Sequence, residues 1–224
     1  MDFEEQLNFL SELLGDPNTS TDDMFPLARR KKAINRGEIQ FAIDSKSIKE
    51  YATGTVASDE ITLPSNWVDT FILVVDNKPI SFRREMSLAN WERHYQGSVD
   101  EPISYLWEFS GVKKIKFMTT SGLNGKTYQL WYYKKPTTEL SDNTDESIML
   151  DEFREASVYW AAHRLLQQIG KSSLSDRMFQ QYTLLVQKAI LQTGRDLVEH
   201  LPAVPDLGDY GYSYTDRQGQ WNNW

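Results

Sequence analysis

The chain contains no cysteine, and this absence excludes several kinds of chemistry. Without thiols there is no disulfide framework, no cysteine nucleophile and no thiolate-bound metal. The three histidines, His94, His163 and His200, are scattered and share no metal-ligand spacing. The sequence also has no Gly-x-Ser-x-Gly elbow, P-loop or Gly-x-Gly-x-x-Gly run. We therefore expect a protein with no catalytic residues, no cofactor and no bound metal.

Positive charge and long apolar runs are also scarce. The chain has 24 lysines and arginines against 32 aspartates and glutamates, which gives a net charge of −8. Proteins that bind DNA through a broad basic face need clustered cations, so this balance predicts no specific DNA binding. No apolar run approaches the roughly 18 residues of a membrane-spanning helix, and the acidic residues 1–5 do not form a secretory signal. We expect a soluble protein, made in the cytoplasm, that does not contact a membrane.

Large apolar side chains are abundant. Seven Trp, eleven Tyr and ten Phe, within a hydrophobic content of 40%, supply a sizeable core. A chain of 224 residues is long for one simple domain and short for two, so we expect one domain that carries an insertion.

Helical periodicity marks the first 41 residues. A stripe of Phe3, Leu7, Leu10 and Leu14 predicts a short helix that ends at Gly15. Capping candidates at residues 20–23 precede a second helix, predicted over residues 24–41, with a proline in its first turn.

From residue 51 to residue 136 the pattern changes to β-branched and aromatic residues separated by turns. Asp76-Asn77-Lys78 predicts a hairpin, residues 121–125 a longer glycine-bearing turn, and residues 87–94 a helical turn. The predicted strands cover residues 55–63, 70–75, 79–83, 105–109, 114–118 and 127–133.

Two further helices follow the strands. The first is predicted over residues 148–170 and the second from Ser172 or Ser175 to about residue 199. We expect His163 to be a hydrogen-bonded core or interface residue. The apolar stripe of the second helix comprises Met178, Tyr182, Leu185, Ala189 and Thr193, broadened by Phe179, Val186, Ile190 and Leu197.

Together these segments predict an α+β fold. Four amphipathic helices with short joints favour an antiparallel four-helix bundle, formed by residues 1–47 and 141–199. A β-sandwich or barrel, residues 48–140, is then inserted between the second and third helices. Residues 200–224 have no helical or strand period, which predicts an extended C-terminal tail.

The order of these parts resembles the head-to-tail adaptor (head-completion or connector) proteins of tailed bacteriophages, in particular the short-tailed type. The resemblance covers residues 1 to about 195. It rests on a short first helix, a Leu-Pro corner in residues 61–67, a hairpin in residues 71–82 and an aromatic strand that leads into an acidic connector, residues 130–142. The last of these is the most specific.

The resemblance implies a structural virion protein at the head-tail interface. Adaptors of this kind form a ring of about twelve copies under the portal protein, connect the capsid to a tail, nozzle or second neck protein, and complete the channel through which DNA passes without specific binding. The resemblance also implies that the helices contribute to ring contacts and that the C-terminal tail reaches a neighbouring protein.

The C-terminal tail is the main candidate for partner binding. Its aromatic residues offer large contact area at small entropic cost, and they are enriched at interface hot spots. A terminus without a binding role is the alternative. The candidate portal-binding or neighbour-binding residues are Tyr210, Tyr212, Tyr214, Trp221 and Trp224.

A second candidate is electrostatic contact between subunits. Cations cluster in residues 29–32, with Arg36 one turn further on, and acidic residues cluster in the connector. A solvated helix surface, or pairing with an adjacent subunit, fits the overall charge better than a DNA contact. The candidates are Arg29, Arg30, Lys31 and Lys32, facing Asp142, Asp145 and Glu146.

Two other functions stay open at this stage. Tryptophans in strands, here Trp67, Trp91, Trp107 and Trp131, also occur in carbohydrate-binding sandwiches, although core and inter-subunit packing is their commoner fate. A different neck or tail-tube component is the closer alternative.

Overall fold

The computed structural model describes residues 1–15, 24–83, 103–109, 112–117 and 123–200. Within these ranges two helices, α1 (Phe3–Leu14) and α2 (Leu27–Ser45), precede eight strands. A 3₁₀ turn (Asp151–Phe153) leads into α3 (Arg154–Gln168), and α4 (Ser172–His200) follows. The predictions for residues 87–94, for the start of the turn at 121–125 and for the C-terminal tail lie outside the described residues.

Helix α1 forms where the sequence predicts it. The Asp2 carboxylate accepts from the Glu5 backbone N–H, and the Glu5 carboxylate accepts from that of Asp2, which is a capping box. Gly15 ends the helix in the left-handed region, with φ 65°. Its apolar stripe is buried, so the predicted first helix is confirmed.

Helix α2 runs four residues beyond its predicted end. Phe41 and Ala42 are fully buried, and the inward face continues to Ser45, so packing carries the helix past Phe41. Lys46 then ends the helix with φ 51°. The Lys46 ammonium lies 2.7 Å from the Asp69 carboxylate, which ties the end of α2 to the first residues of a strand.

The strands form two four-stranded sheets. Neighbours are antiparallel except for one parallel pair, β5 with β6. The first sheet has the order β1 (Lys49–Thr55), β8 (Thr127–Lys134), β3 (Trp67–Val75) and β4 (Lys78–Pro79). The second has the order β2 (Glu60–Thr62), β7 (Val112–Phe117), β6 (Ile103–Phe109) and β5 (Ser81–Arg83).

Turn chemistry decides where these strands begin and end. Asp76 and Asn77 have φ of 52° and 62°, and Val75 pairs with Lys78, which confirms the predicted hairpin. The predicted single strand over residues 55–63 is wrong, because Ser58 and Asp59 also have positive φ and separate β1 from β2.

The two sheets share one hydrophobic core. Leu73 and Leu130 come from the first sheet, Ile61 and Ile115 from the second, and all four are almost completely buried. Trp67 belongs to this core as well, and its indole N–H donates to the Thr70 hydroxyl over 3.0 Å. The strands therefore pack as a sandwich whose place in the chain lies between α2 and α3.

The predicted antiparallel four-helix bundle is wrong, because the helices do not share one core. Helix α3 lies between the others and packs against α1, α2 and α4. One apolar cluster joins α1, α2 and α3, to which α4 adds only the partly buried Met178. A separate cluster joins Phe41, Phe153 and Ala156 to Tyr182 and Val186 of α4. Sequence periodicity gives each helix an apolar face but does not choose its partner.

Helices α2 and α3 approach each other closely at Gly37. A Cβ atom at residue 37 would lie 2.9 Å from the Cα of Ser157 and closer still to its carbonyl oxygen. Both contacts are backbone, so a side chain at position 37 requires the two helices to separate.

Replacing Gly37 by alanine is therefore expected to destabilise the protein by about 1–3 kcal/mol, the usual cost of overpacking, despite the better helix propensity of alanine. Urea unfolding measures the change, with the exposed Lys32→Ala in the same helix as control. Equal stability of Gly37→Ala and the wild type would show that the helices can move apart at no cost.

None of the helices in the described ranges combines the length and apolarity that a membrane span requires.

Candidate assembly surfaces

Helix α4 presents an unusual outer face. From Met178 to Gln187 it contains no charged residue, although a quarter of the whole chain is charged. At 100° per residue, one side of the helix carries Tyr182, Val186 and Ala189 into the core, and the opposite side faces outward. We use the name charge-free face of α4 for a set of uncharged residues on the outer part of this helix, bordered by the exposed Lys188; it comprises Phe179, Gln180, Thr183, Leu184, Gln187, Ile190 and Leu191.

The apolar members of this face are well exposed. Leu184 is 57% and Leu191 66% exposed, while Phe179 and Ile190 are close to half exposed. Phe179 and Ile190, which the sequence places beside the apolar stripe of this helix, therefore form its half-exposed edge. A shallow depression lies between Phe179, Leu184 and Gln187. Interface centres are depleted in charge and enriched in large apolar side chains, and the charge-free face of α4 has both properties.

A second surface is the groove between α2 and α3, with a volume of about 130 Å³. We call it the basic groove. Arg164 lies over the Trp160 ring, 5.8 Å from its centre, and Arg29 donates to the Gln168 side chain. In the part of the chain that the structure describes, no carboxylate lies within salt-bridge distance of the groove cations. The basic groove is lined by Arg29, Lys32, Ala33, Arg36, Trp160, Arg164, Leu165 and Gln168.

A third surface is the acidic loop, residues 139–146, which packs on the other flank of α2. The Asn35 amide donates to the Leu140 carbonyl over 3.0 Å and accepts from the Leu140 N–H over 2.8 Å. Lys31 donates to the Ser141 carbonyl. Glu139, Asp142 and Glu146 of this loop are exposed.

Contacts within the chain also hold the acidic loop. Its carbonyls at Asn143 and Asp145 accept from the first backbone N–H groups of α1, over 3.0 Å each. The Asp145 carboxylate accepts from the backbone N–H groups of Ser141 and Asp142, and these bonds lower its pKa. The loop therefore presents its exposed carboxylates from a defined backbone.

Arg154 secures the far end of the same loop. Its guanidinium, only 11% exposed, donates to the Met1 carbonyl over 2.8 Å and lies 2.9 Å from Asp151 and 3.3 Å from Glu146. One side chain thus joins the N-terminus, the acidic loop and the start of α3.

A family model described as SU10 adaptor protein matches residues 1–204 of the chain. The chain belongs to this family. It is therefore a structural adaptor of a tailed phage, a component of the virion neck, which confirms the family predicted from the sequence. No curated protein matches the chain.

No cluster of three or more His, Asp or Glu side chains that could hold a metal occurs in the ranges that the structure covers. His163 is buried between helices, where its Nδ1 lies 2.9 Å from the Ser175 hydroxyl and its ring lies against Phe179. It is thus the hydrogen-bonded core residue that the sequence predicts.

The cations predicted to form electrostatic contacts between subunits lie in different environments. Arg30 is completely buried, where it donates to the Phe25 carbonyl and to the Ser11 hydroxyl over 2.7 Å each. Lys31 is engaged by the acidic loop of its own chain. Arg29 and Lys32 are exposed and line the basic groove. The predicted tail residues lie outside the described part of the chain.

Sequence reasoning missed two parts of these surfaces. Trp160 and Arg164 were not among the predicted site residues, because only the packing of α3 on α2 places them beside Arg29 and Arg36. Leu184 and Leu191 were missed as well. The charge-free run in an otherwise charged chain was a signal that could have found them.

A buried carboxyl beneath the acidic loop makes the adaptor sensitive to pH. Glu38 is 2% exposed, and burial raises its pKa, while a hydrogen bond from Ser147 and the charge of Arg154 act in the opposite direction. A raised pKa in the folded state means that ionisation of Glu38 destabilises the fold as pH rises from about the unfolded pKa of 4.5 to the folded pKa.

We therefore expect Glu38→Gln to gain stability over the wild type as pH rises through this window, with no difference below it. The difference between the two proteins isolates Glu38 from Glu50 and Glu60, whose pKa values are lowered by hydrogen bonds from Tyr132 and Lys114. Urea unfolding at several pH values gives the curve. A difference that falls with pH would show that the attraction of Arg154 outweighs burial.

Proposed function

We propose that the chain is the head-to-tail adaptor that forms a ring under the portal, connects the capsid to the tail and completes the DNA channel. The observation that carries this proposal is the charge-free face of α4, on a chain that belongs to a phage adaptor family. A monomer would gain nothing from leaving Leu184 and Leu191 in water, since burying either side chain is worth about 1.5–3 kcal/mol.

Burial between copies accounts for this surface. A closed ring needs a head-to-tail contact, in which two different patches of the same chain meet around the symmetry axis. The charge-free face of α4 serves as one such patch, where apolar side chains lose contact with water. Adaptor copies then stabilise one another through the apolar surface that they bury between them, and not through a ligand-binding pocket.

The C-terminal tail is assigned the contact with the portal or with a neighbouring copy. Its 24 residues after His200 span up to about 80 Å when extended, so the tail can reach well beyond its own subunit. Tyr210, Tyr212, Tyr214, Trp221 and Trp224 provide anchors of the kind that dominate interface energies.

Net negative charge suits a protein that surrounds moving DNA. Each copy carries a formal charge of −8, so a ring of such copies repels phosphates and lets the duplex slide. We expect no specific DNA binding by the isolated adaptor at physiological salt.

Mass measurement of the adaptor alone and after mixing with a candidate portal tests the proposal. A complex that contains one portal ring and several adaptor copies is expected. A single adaptor copy bound to the portal, or binding to a tail-tube protein in place of the portal, would contradict it and favour another neck or tail component.

Truncation after His200 is expected to leave the protein folded and to weaken portal binding, because the described core ends with Thr193 of α4. Circular dichroism and thermal unfolding report the fold, and co-sedimentation with the portal reports binding. The matched variant is the full-length chain with the five aromatic residues of the tail replaced by serine, which keeps the length of the tail but removes its proposed anchors. Portal binding by the truncated chain at wild-type strength would remove the role assigned to the tail.

A further inference from the structure

We propose that the basic groove of one adaptor copy binds the acidic loop of the next copy. The proposal rests on the ring function proposed above and adds a polar contact between copies to the apolar one made by the charge-free face of α4. It is carried by the charge of the groove, by the exposed carboxylates of the loop and by the positions of both on α2.

The basic groove has the charge and shape to bind an anion. Arg29, Lys32 and Arg36 of α2 lie beside Arg164 of α3, and none of the residues that line the groove is acidic. Positive charges four residues apart on a helix, such as Lys32 and Arg36, repel one another. A carboxylate that enters the groove offsets this repulsion. This local excess of positive charge stands out in a chain whose net charge is −8.

Trp160 adds a feature that a merely solvated basic surface lacks. Its ring is only partly buried, lines the groove and has the Arg164 guanidinium over it, 5.8 Å from the ring centre. A planar guanidinium held on an aromatic ring is oriented for bidentate contact with a carboxylate, and less side-chain entropy is lost on binding.

The acidic loop has the complementary chemistry. Glu139 and Asp142 are exposed and form no salt bridge within the described part of the chain, whereas Asp145 and Glu146 are occupied by backbone N–H groups and by Arg154. Because Asn35 and the N-terminus of α1 hold the loop backbone, binding through Glu139 and Asp142 orders only their side chains, which lowers the entropic cost.

The two surfaces face different directions within one chain. Lys31 and Asn35, which hold the acidic loop, are separated from Lys32 and Arg36 by 100° around α2, roughly a third of its circumference, and no salt bridge joins the loop to the groove in the described residues. A contact between the groove of one copy and the loop of the next uses both surfaces. Their contact is head-to-tail, which is the arrangement that closes rings.

Charge-swapped variants test this contact. The groove variant is Arg36→Glu with Arg164→Glu, and the loop variant is Glu139→Lys with Asp142→Lys. Each alone is expected to weaken self-association by about tenfold or more, because like charges then face each other. An equal mixture of the two variants, and a chain with all four substitutions, are expected to regain association, because every contact again joins opposite charges.

Sedimentation of the full-length chain, alone and with the portal, measures association at low salt and at about 1 M salt, where the Debye length is only about 3 Å. The control is Lys171→Glu with Arg177→Glu, two exposed cations at the start of α4 outside the groove, which make the same charge change. This control is expected to associate like the wild type.

Three outcomes would overturn the proposal. If wild-type rings form and the groove variant forms them equally well, the contact is wrong while the ring stands. If the wild type never self-associates, with or without the portal, the ring and the contact both fail. If the groove variant loses DNA binding in a low-salt mobility-shift assay while its self-association is unchanged, the occupant of the groove is phosphate.

Discussion

Replacing Leu184 and Leu191 together by aspartate is expected to abolish assembly and to leave the monomer folded. Both side chains are more than half exposed and point away from the core formed by Tyr182, Val186 and Ala189, so their loss removes no internal packing. At an interface centre the two carboxylates would be desolvated without partners. Because a single hot-spot residue contributes 2 kcal/mol or more, we expect association to weaken by a hundredfold or more.

Sedimentation gives the association state, and far-ultraviolet circular dichroism with thermal unfolding gives the fold. The matched control is Gln167→Asp with Gln181→Asp, which adds the same charge at exposed positions of α3 and α4 that lie outside the charge-free face. Normal assembly of the Leu184→Asp, Leu191→Asp double variant would show that this face stays in water in the ring.

Replacing Arg154 by methionine is expected to destabilise the adaptor by about 3 kcal/mol, the largest stability effect that we predict for one substitution. Methionine keeps most of the volume but leaves the Met1 and Met149 carbonyls without the guanidinium donor. It also removes the positive charge that offsets the buried Glu38 carboxylate. The acidic loop and the start of α1 then lose a shared attachment.

Urea unfolding measures this loss, and Arg164→Met is the matched control for stability, since Arg164 lies on the same helix but is exposed. The control is expected to change the free energy of unfolding by less than about 0.5 kcal/mol. Hydrogen exchange provides a second test, because the Phe3 and Glu4 N–H groups bonded to the acidic loop should exchange faster in Arg154→Met. Equal stability of the two arginine variants would contradict the role of Arg154.

Local signals in the sequence predict most elements of the fold. The stripe from Phe3 to Leu14, with Gly15 behind it, predicts α1 and its end, and Asp76-Asn77 predicts a hairpin, because each pattern satisfies backbone requirements within a few positions. The predicted four-helix bundle was wrong because the packing partner of a helix is not set by local patterns. Each helix has an apolar face, but α1 and α4 contribute to different clusters, and only their packing on α3 shows this.

The candidate assembly surfaces, too, were only partly predictable from local sequence patterns. The charge-free run of α4 is visible in the sequence. The half exposure of Phe179 and Ile190 is not, because periodicity does not show how wide a stripe the neighbouring helices cover. Among the four adjacent cations at residues 29–32, the sequence does not distinguish the buried Arg30 from the exposed Lys32. That difference arises from how α2 is rotated against α1 and α3.

The amino-acid sequence by itself determined that this protein is an acidic α+β chain without thiol chemistry, with helices on either side of a block of strands, and that it resembles phage adaptors. These properties follow from composition and from interactions between residues close together in the chain. Only the tertiary structure decided that α3 is the centre of the helical part, that a basic groove forms beside Trp160 and that the acidic loop lies on the other flank of α2. Such features depend on contacts between residues more than a hundred positions apart, as between Asn35 and Leu140, and local sequence patterns carry no record of them.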